Sequence, residues 1–426
     1  MRRLALTLLA LVLVALAAPR PATAAEPGDE ISISVLTYGP GDNAFDKFGH
    51  QAIRVHDKRA REDWVYNFGT YGFDSVALIP KFFLGRFDYW VSRRPYRAAT
   101  QPYIRVDRSI EEQELNLTPA QRLEVKRRLE WNILPENKFY KYDYYLDNCA
   151  TRPRDLIDDV IGGRIREASQ DPAPLTFRQH TQRLTAEQIP FYFGLHVAMG
   201  PLIDRPITRW EEMFLPSKLQ EGLRGVTVPG PSGDQPLVKA ERVVHASRRP
   251  PLLAAPPAWT LRSALAGLAA GALFAALGAA ARARRAARVA FGALLAVTGL
   301  VLGFLGCLFV MFWLVTDHAV AYRNENILQL APWAIALAGY GVGVARGRAR
   351  AIRIAAKLTA AAAAASLLGL LLELIPALTQ DNASIIAIAL PLWSGAAAGA
   401  WLLQRAVAPA PEPSPAASAE PSGAGA

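Results

Sequence analysis

Cysteine and histidine are scarce in this sequence, which has 426 residues but only two cysteines and six histidines. So few cysteines exclude a disulfide framework, and nothing in the sequence resembles the ligand spacing of a zinc site, so we expect neither a metal nor a cofactor. Cys307 lies inside a long apolar run, whereas Cys149 lies in a polar segment with no other cysteine near it. Cys149 is therefore either a small buried residue or a reactive thiol.

Residues 1–25 have the pattern of a secretory signal peptide. Two arginines precede an apolar stretch from Leu4 to Ala17, and Ala22-Thr23-Ala24 has the small residues of a cleavage site. The stretch is too short to span a bilayer. We therefore expect cleavage near Ala24 and a mature chain that begins in the periplasm or its equivalent, where an unpaired thiol is exposed to oxidation.

The sequence from Trp259 onward carries few charges and is rich in Ala, Leu and Gly. It predicts a membrane domain of about five helices over residues 259–404, because each apolar run is near the length needed to cross the hydrocarbon core. The predicted runs are Ser263–Ala281, Val289–Val315, Leu328–Ala345, Leu358–Leu378 and Ile385–Leu403.

Basic residues alternate between the loops of this domain. Arginines are concentrated after the first and third runs, whereas the loop after the second contains only Arg323 and the loop after the fourth contains no basic residue. Positively charged loops stay in the cytoplasm, so the first run is entered from outside, in agreement with the signal peptide. We expect an inner-membrane protein with residues 26–245 in the periplasm and a disordered cytoplasmic tail over residues 405–426.

The net charge of +10 would suit nucleic acid in a soluble protein. Here many of the arginines set the membrane topology, and export argues against a nucleic-acid partner. Arg93, Arg94 and Arg97 belong to the exported part instead. They could face anionic lipid headgroups or form an ordinary solvated surface, and the sequence leaves both interpretations open.

Residues 26–245 predict one compact α+β domain, followed by a linker over residues 246–258. Apolar and polar residues alternate in Ile31–Leu36, Gln51–Val55 and Asp63–Phe68, as in strands. Thr118 and Pro119 are typical of a helix start, and this helix should run to about Ile133. A second helix is predicted to begin at Cys149.

A cysteine at a helix start has chemical consequences. Free backbone N–H groups favour the thiolate and could stabilise an oxyanion, and Arg152 and Arg154 would add to the effect. His50 is the natural general base, and Asn67 on the next strand is the candidate to orient it, with His56 behind. Plainer interpretations remain: His50 could be a buried strand residue, and Asn67 could only shape a turn.

Five segments together resemble the Lnb family. They are Phe48–Val55, Val65–Gly69, Tyr142–Arg152, Thr316–His318 and Asn324–Leu328, so the likeness extends over most of the chain. The order of a histidine before a cysteine that opens a helix is also similar to circularly permuted papain-like folds. That group includes peptidoglycan peptidases and acyltransferases that carry a lipid acyl chain as a cysteine thioester.

The resemblance implies a permuted papain-like periplasmic domain followed by membrane helices, and it implies lipoprotein N-acylation. A phospholipid acyl chain would pass to Cys149 and then to the α-amine of a diacylated lipoprotein, with His50 and Asn67 as the other catalytic groups. Membrane lipids would be further partners. The residues expected to bind substrate are Asn148, Arg152, His318, Asn324 and Asn326.

Two other functions fit the same residues. A periplasmic cysteine peptidase or amidase acting on peptidoglycan would use Cys149 and His50, but it would need a polar cleft and would gain little from five membrane helices. A non-enzymatic scaffold or transporter component would need neither residue for chemistry, and Ala- and Gly-rich helices that pack closely suit all three functions.

Overall fold

The computed structural model describes residues 26–72, 78–86, 88–230, 233–375, 378 and 380–407. The predicted signal peptide, residues 1–25, lies outside the described residues, and so do residues 408–426 of the predicted tail.

An antiparallel sheet of seven strands forms the centre of the N-terminal part, in the order β6-β4-β3-β2-β1-β5-β9. Strands β7 and β8 form a separate hairpin. The strands are β1 (Ile31–Tyr38), β2 (His50–Asp57), β3 (Glu62–Thr70), β4 (Asp88–Pro95), β5 (Ile110–Leu115), β6 (Phe139–Lys141), β7 (Thr227–Gly230), β8 (Gly233–Pro236) and β9 (Val238–His245). The three strands predicted from alternating residues correspond to β1, β2 and β3.

Nine helices accompany the sheet in the described residues of this part. They are α1 (Leu78–Phe83), α2 (Tyr96–Arg105), α3 (Pro119–Asn132), α4 (Thr151–Val160), α5 (Arg164–Glu167), α6 (Phe177–Thr185), α7 (Ile189–Ala198), α8 (Arg209–Glu212) and α9 (Pro216–Arg224). The predicted α+β class is confirmed by this combination of sheet and helices.

Strand β1 is apolar on both faces because both faces of the sheet are covered. Ile33 and Val35 point to one side and join a core with α3, α4 and α9, whereas Leu36 and Tyr38 point to the other side and pack near α2. Seven of the eight residues of β1 are therefore buried, although Ser32, Ser34 and Thr37 are polar. The central strands are thus held rigidly between two helical layers, and β2 is one of them.

Of the two helices predicted near the sheet, one begins where it was predicted and the other begins two residues later. Thr118 and Gln121 form a reciprocal capping box at the start of α3. Helix α4 begins at Thr151 and not at Cys149, because Asn148 supplies the acceptor that caps it. Cys149 therefore lies in the turn that precedes the helix.

Five helical segments in the C-terminal part are long and apolar enough to cross a membrane, as predicted. The third is broken into two α-helices by a 3-10 turn at Pro332–Ala336. The segments are α10 (Thr260–Ala280), α11 (Arg285–Val315), α12 and α13 (Asn326–Leu330 and Leu337–Ala345), α14 (Ala349–Leu372) and α15 (Ala383–Val407).

The predicted fourth run, Leu358–Leu378, was placed too late. The helix already begins at Ala349, so Arg350, Arg353 and Lys357 belong to its first turns and not to the preceding loop. Lysine and arginine are good helix formers, and their long side chains can reach the interface from inside a helix end. The positions of the charged residues alone therefore predicted the wrong start for this helix.

Helices α10 and α15 pack with their backbones in close contact. A Cβ atom added at Gly395 would lie 2.0 Å from the carbonyl oxygen of Gly271, so only glycine fits there. Such small-residue contacts are typical of helix pairs in membranes, where burial of apolar surface does not distinguish protein from lipid.

The N-terminal part rests directly on the ends of the membrane helices. The Val197 carbonyl at the end of α7 accepts hydrogen bonds from Asn324 Nδ2 at 2.8 Å and from Asn326 Nδ2 at 3.1 Å. His196 Nε2 lies 2.9 Å from Ser384 Oγ at the start of α15. Helix α7 is thus fixed to the loop before α12 and to α15.

A second junction involves the segment after α1. The Asp317 backbone N–H donates to the Leu84 carbonyl at 2.8 Å, and the Asp317 carboxylate pairs with Arg86 at 3.0 Å. The loop between α11 and α12 therefore contacts both α7 and the connection between β3 and β4.

Candidate active site

The antiparallel pairing of β2 and β3 brings His50 and Asn67 together. Asn67 is the register partner of Ala52, and His50 Nε2 lies 3.4 Å from Asn67 Oδ1. Asn67 Nδ2 donates to the Val65 carbonyl, which leaves Oδ1 as the atom that faces the ring. An amide oxygen can only accept, so Nε2 carries the proton and Nδ1 is the basic nitrogen.

A tight turn holds Cys149 in front of α4, and Asn148 shapes it. Asn148 Oδ1 accepts from the backbone N–H groups of Ala150 at 2.8 Å and Thr151 at 3.0 Å. Its Nδ2 group donates to two backbone carbonyls, each at 3.0 Å. The amide of Asn148, which we expected to bind substrate, is therefore occupied in building the turn.

Gly69 on β3 leaves the space into which Cys149 fits. Its φ angle is +82°, a conformation that favours glycine. A Cβ atom added there would lie 3.1 Å from the Tyr142 ring and 3.5 Å from Cys149 Cβ. The absence of a side chain at Gly69 thus lets the turn with the thiol approach the end of the sheet where β2 begins with His50.

Hydrogen-bond donors surround the sulfur of Cys149. The Tyr142 hydroxyl lies 3.9 Å from Sγ. Burial raises the pKa of the Cys149 thiol, while the backbone N–H of Gln51, the Tyr142 hydroxyl and the cysteine's own N–H act to lower it. Gln51 directly follows His50, so the base and the thiol lie on adjacent pieces of backbone.

His50 is a neutral base in this environment. Burial lowers the pKa of its imidazole to about 4, and the positive charge of Arg108 acts in the same direction, against Asn67 and Asp46. The ring lies against those of Tyr38 and Tyr103, with centroid separations of 5.7 Å and 6.3 Å. Near neutral pH the thiol of Cys149 and the imidazole of His50 are therefore both neutral at rest.

This resting state corrects the expectation of a thiolate stabilised by Arg152 and Arg154. Arg152 forms two hydrogen bonds with Asp147 and lies over the Tyr140 ring, outside the cavity described below. Arg154 is buried against Trp210 and pairs with Asp155. Both charges are occupied elsewhere, and desolvation of the sulfur outweighs the nearby N–H groups.

A cavity of about 1040 Å³ opens beside these groups, and Cys149, His50 and Asn67 all line it. Most of its other walls are apolar or aromatic. They come from α2 and the N-terminal sheet and also from the membrane junction, which contributes Phe191, Leu195, Ala198, Met199, Phe312, His318, Val320 and Ala321. The two parts of the chain therefore form one binding space next to the thiol.

The residues predicted in the membrane part have different positions. His318 lines the cavity, and its ring stacks on Tyr144 with centroids 6.5 Å apart. Asn324 and Asn326 are buried and do not line it, because both amides hold the end of α7. His56, the second candidate to orient His50, lies six residues further along β2, about 20 Å away, and faces Asp63.

Three residues at the site were not singled out from the sequence. Tyr142 belongs to one of the segments that resemble the Lnb family, so the sequence gave a reason to expect it near Cys149. Tyr103 and Arg108 had none, since the chain reaches them through α2 and the turn into β5. No group of three or more His, Cys, Asp or Glu that could hold a metal occurs in the described part of the chain.

Comparison with known families gives one match. Residues 18–183 match the Lnb N-terminal periplasmic domain, a range that begins within the predicted signal peptide and includes His50, Asn67 and Cys149. Neither a curated protein nor a solved structure matches the chain. Residues 18–183 are therefore similar to the Lnb N-terminal periplasmic domain, in a chain whose described residues continue into five helices apolar enough to cross a membrane.

Proposed function

We propose that this protein is a cysteine-dependent acyltransferase, which moves an acyl chain from a phospholipid through a Cys149 thioester to the α-amine of a diacylated lipoprotein. One observation carries the proposal. A thiol with a hydrogen-bonded imidazole system beside it lines a large apolar cavity whose wall includes residues at the ends of membrane helices. Apolar walls suit an acyl chain, whereas a polar substrate would not need them.

In the first half-reaction, Nδ1 of His50 accepts the thiol proton as Sγ attacks the ester carbonyl of the phospholipid. The oxyanion of the tetrahedral intermediate is stabilised by the N–H groups of Gln51 and Cys149, which already face the sulfur. When the intermediate collapses, the carbon–oxygen bond breaks and His50 protonates the leaving glycerol oxygen. The products are a thioester and a lysophospholipid.

In the second half-reaction, the neutral α-amine of the lipoprotein attacks the thioester carbonyl. His50 takes the proton that the amine loses, the carbon–sulfur bond breaks, and the thiolate recovers the proton. An amide forms and the free enzyme returns. Exclusion of water by the apolar walls protects the thioester from hydrolysis between the two steps.

The proposal includes the fold and the topology. We infer a permuted papain-like domain over residues 26–245, a linker over 246–258, membrane helices over 259–404 and a cytoplasmic tail from 405. The order of histidine before cysteine supports the permutation. The arginine distribution and the signal-peptide pattern support an inner-membrane protein whose Cys149 faces the periplasm.

The test uses the full-length protein in detergent or lipid discs. Incubation with phospholipid should add the mass of one acyl chain, and hydroxylamine should remove it. Cys149→Ser should remain unmodified, whereas Cys307→Ala, which changes the only other cysteine, should be acylated normally. Normal lipoprotein acylation by Cys149→Ala would refute the proposal, and cleavage of muropeptides without acyl transfer would establish the peptidase instead.

A further inference from the structure

The three arginines whose role the sequence left open lie in three environments. Arg93 pairs with Glu130 at 2.9 Å and lies over the Trp64 ring. Arg97 is exposed and does not line the cavity. Arg94 is exposed as well, but it lines the cavity, and its side chain has no hydrogen bond or ion pair with any residue that the structure describes. Of the three, Arg94 thus places an unpaired cation at the cavity.

A second arginine lines the same cavity with part of its donor capacity unused. Arg108 is only 4% exposed. Its Nε donates to the Gly39 carbonyl at 2.7 Å and its Nη1 donates to Asp46, but Nη2 is buried without a partner among the described residues. A buried guanidinium nitrogen without an acceptor is costly, and a bound anion would relieve that cost.

Tyr103 lies between Arg108 and His50. The Arg108 guanidinium is 4.7 Å from the centre of the Tyr103 ring, and this ring is nearly parallel to that of His50. Burial raises the pKa of Tyr103 to about 12, and the charges of Arg108 and Arg94 act to lower it. Both cations therefore act on the same hydroxyl.

The carboxylates that line the cavity do not neutralise Arg94. Asp42 is bound by Arg249 through two hydrogen bonds, and Asp46 is bound by Arg108. Arg94 is then the one lysine or arginine among the described lining residues without a carboxylate partner. No side chain caps the start of α2, whose first turn also reaches the cavity at Ala98.

We propose that Arg94 and Arg108 form an anion subsite for the phosphate of a glycerophospholipid acyl donor. The inference rests on the proposed acyl transfer and specifies its donor. Guanidinium groups bind phosphate oxygens in pairs, and the phosphodiester is separated from the ester carbonyls only by the glycerol backbone. A phosphate held beside Tyr103 brings an ester carbonyl to Cys149, while the acyl chain occupies the apolar remainder of the cavity.

The experiment compares donors with and without phosphate, using the full-length protein in detergent. The rate of Cys149 acylation is measured with phosphatidylglycerol and with the matching diacylglycerol, in the wild type and in Arg94→Gln. Arg97→Gln, an exposed arginine on the same segment, is the matched control. Wild type and control should prefer the phospholipid by about tenfold or more, and Arg94→Gln should lose most of this preference through a higher KM.

Glycerol 3-phosphate distinguishes a lipid headgroup from free phosphate. It should inhibit acylation by phospholipid in the wild type and much less in Arg94→Gln. Inhibition without any preference of the wild type for phospholipid would show an anion site unconnected with the donor and would overturn the proposal. Equal loss with both donors in Arg94→Gln would overturn it as well.

A phosphate-free activated ester of a fatty acid separates this proposal from the one before it. If that ester acylates Cys149 in the wild type and in Arg94→Gln alike, while the phospholipid preference is absent in both, acyl transfer stands and the anion subsite fails. If no ester or lipid acylates Cys149, the acyltransferase itself is refuted.

Discussion

The thiol and imidazole of this site are held neutral by the same cause. Burial disfavours the charged form of each, which moves the pKa of Cys149 up and that of His50 down. An ion pair is therefore not stored at rest, and the proton must move as the sulfur attacks. In the proposed reaction, His50 would act as a general base over a wide pH range because it remains unprotonated.

The low pKa of His50 predicts that the acylation rate declines only at an unusually low pH. Protonation of His50 removes the lone pair at Nδ1, so the rate falls as pH falls through the pKa of about 4. Cys149 acylation should change little between about pH 7 and 5 and be halved near pH 4, whereas an unperturbed histidine would halve it near about 6.5. Initial rates across this range, with melting curves at each pH, provide the measurement.

Removal of the base should be severe. His50→Ala should slow acylation by about a hundredfold or more at unchanged protein level, because no other group accepts the thiol proton. His56→Ala is the control at the opposite end of the same strand and should retain activity. A loss of folded His50→Ala protein in proportion to activity would instead indicate a structural histidine.

Tyr142 offers a subtler test of the sulfur's surroundings. Its hydroxyl acts to lower the pKa of Cys149, so Tyr142→Phe should raise that pKa further and slow alkylation of the thiol about three- to tenfold near neutral pH. The phenyl ring keeps the stacking on Tyr89. Tyr144→Phe, which changes another tyrosine of the cavity, should leave the pH dependence of alkylation in place.

At the scale of elements, the turn before α4 depends on a single side chain. Asn148→Ala removes the cap and leaves buried N–H and carbonyl groups unpaired, so it should cost at least about 1 kcal/mol and misplace Cys149. Thr118→Ala removes the cap of α3, away from the site, at a similar cost. Melting temperature and acylation rate, measured together, should fall together only for Asn148→Ala. Full activity in that variant would contradict this role of the cap.

Local patterns predicted three of the nine strands and two of the nine helices described in the N-terminal part, together with the five apolar segments of the C-terminal part. Alternation gave β1 to β3, and the Thr118 cap gave α3, because these signals act within a few residues. The sequence placed the start of α4 two residues early, since the acceptor role of Asn148 depends on the fold of the whole turn. The break at Pro332 inside the third membrane segment was also missed, although proline lacks the N–H that continues an α-helix.

At the scale of the whole molecule, the polar residues predicted to bind substrate in the membrane part have two different roles. Asn326 holds α7 to the membrane helices, whereas His318 lines the cavity. Asn326→Ala should loosen the contact between α7 and the membrane helices, so protease cleavage in residues 246–258 should become faster and acylation slower. His318→Ala removes a ring that lines the cavity and leaves in place the bonds of α7 to Asn324, Asn326 and Ser384. It should lower acyl transfer with unchanged cleavage, and equal cleavage rates in both variants would contradict the distinction.

The site itself was only partly predictable. Cys149, His50 and Asn67 stand in segments whose order and polarity carry chemical information. The sequence drew attention to Arg94 but gave no reason to prefer it to Arg93, and it gave no signal for Arg108. Both Arg94 and Arg108 line the cavity only because α2 folds over the sheet. Asn324 and Asn326 had the polarity of a binding site, but their amides are used to hold a backbone carbonyl.

The contact between His196 and Ser384 joins residues 188 positions apart, and it braces the helix that walls the cavity. Ser384 lies far after Cys149 and His50 in the chain, so both side chains are synthesised well before the residue that braces this wall. A chain interrupted before Ser384 would have the thiol and the imidazole without this brace on α7, and the shape of the cavity beside them therefore depends on a part of the sequence that is made much later.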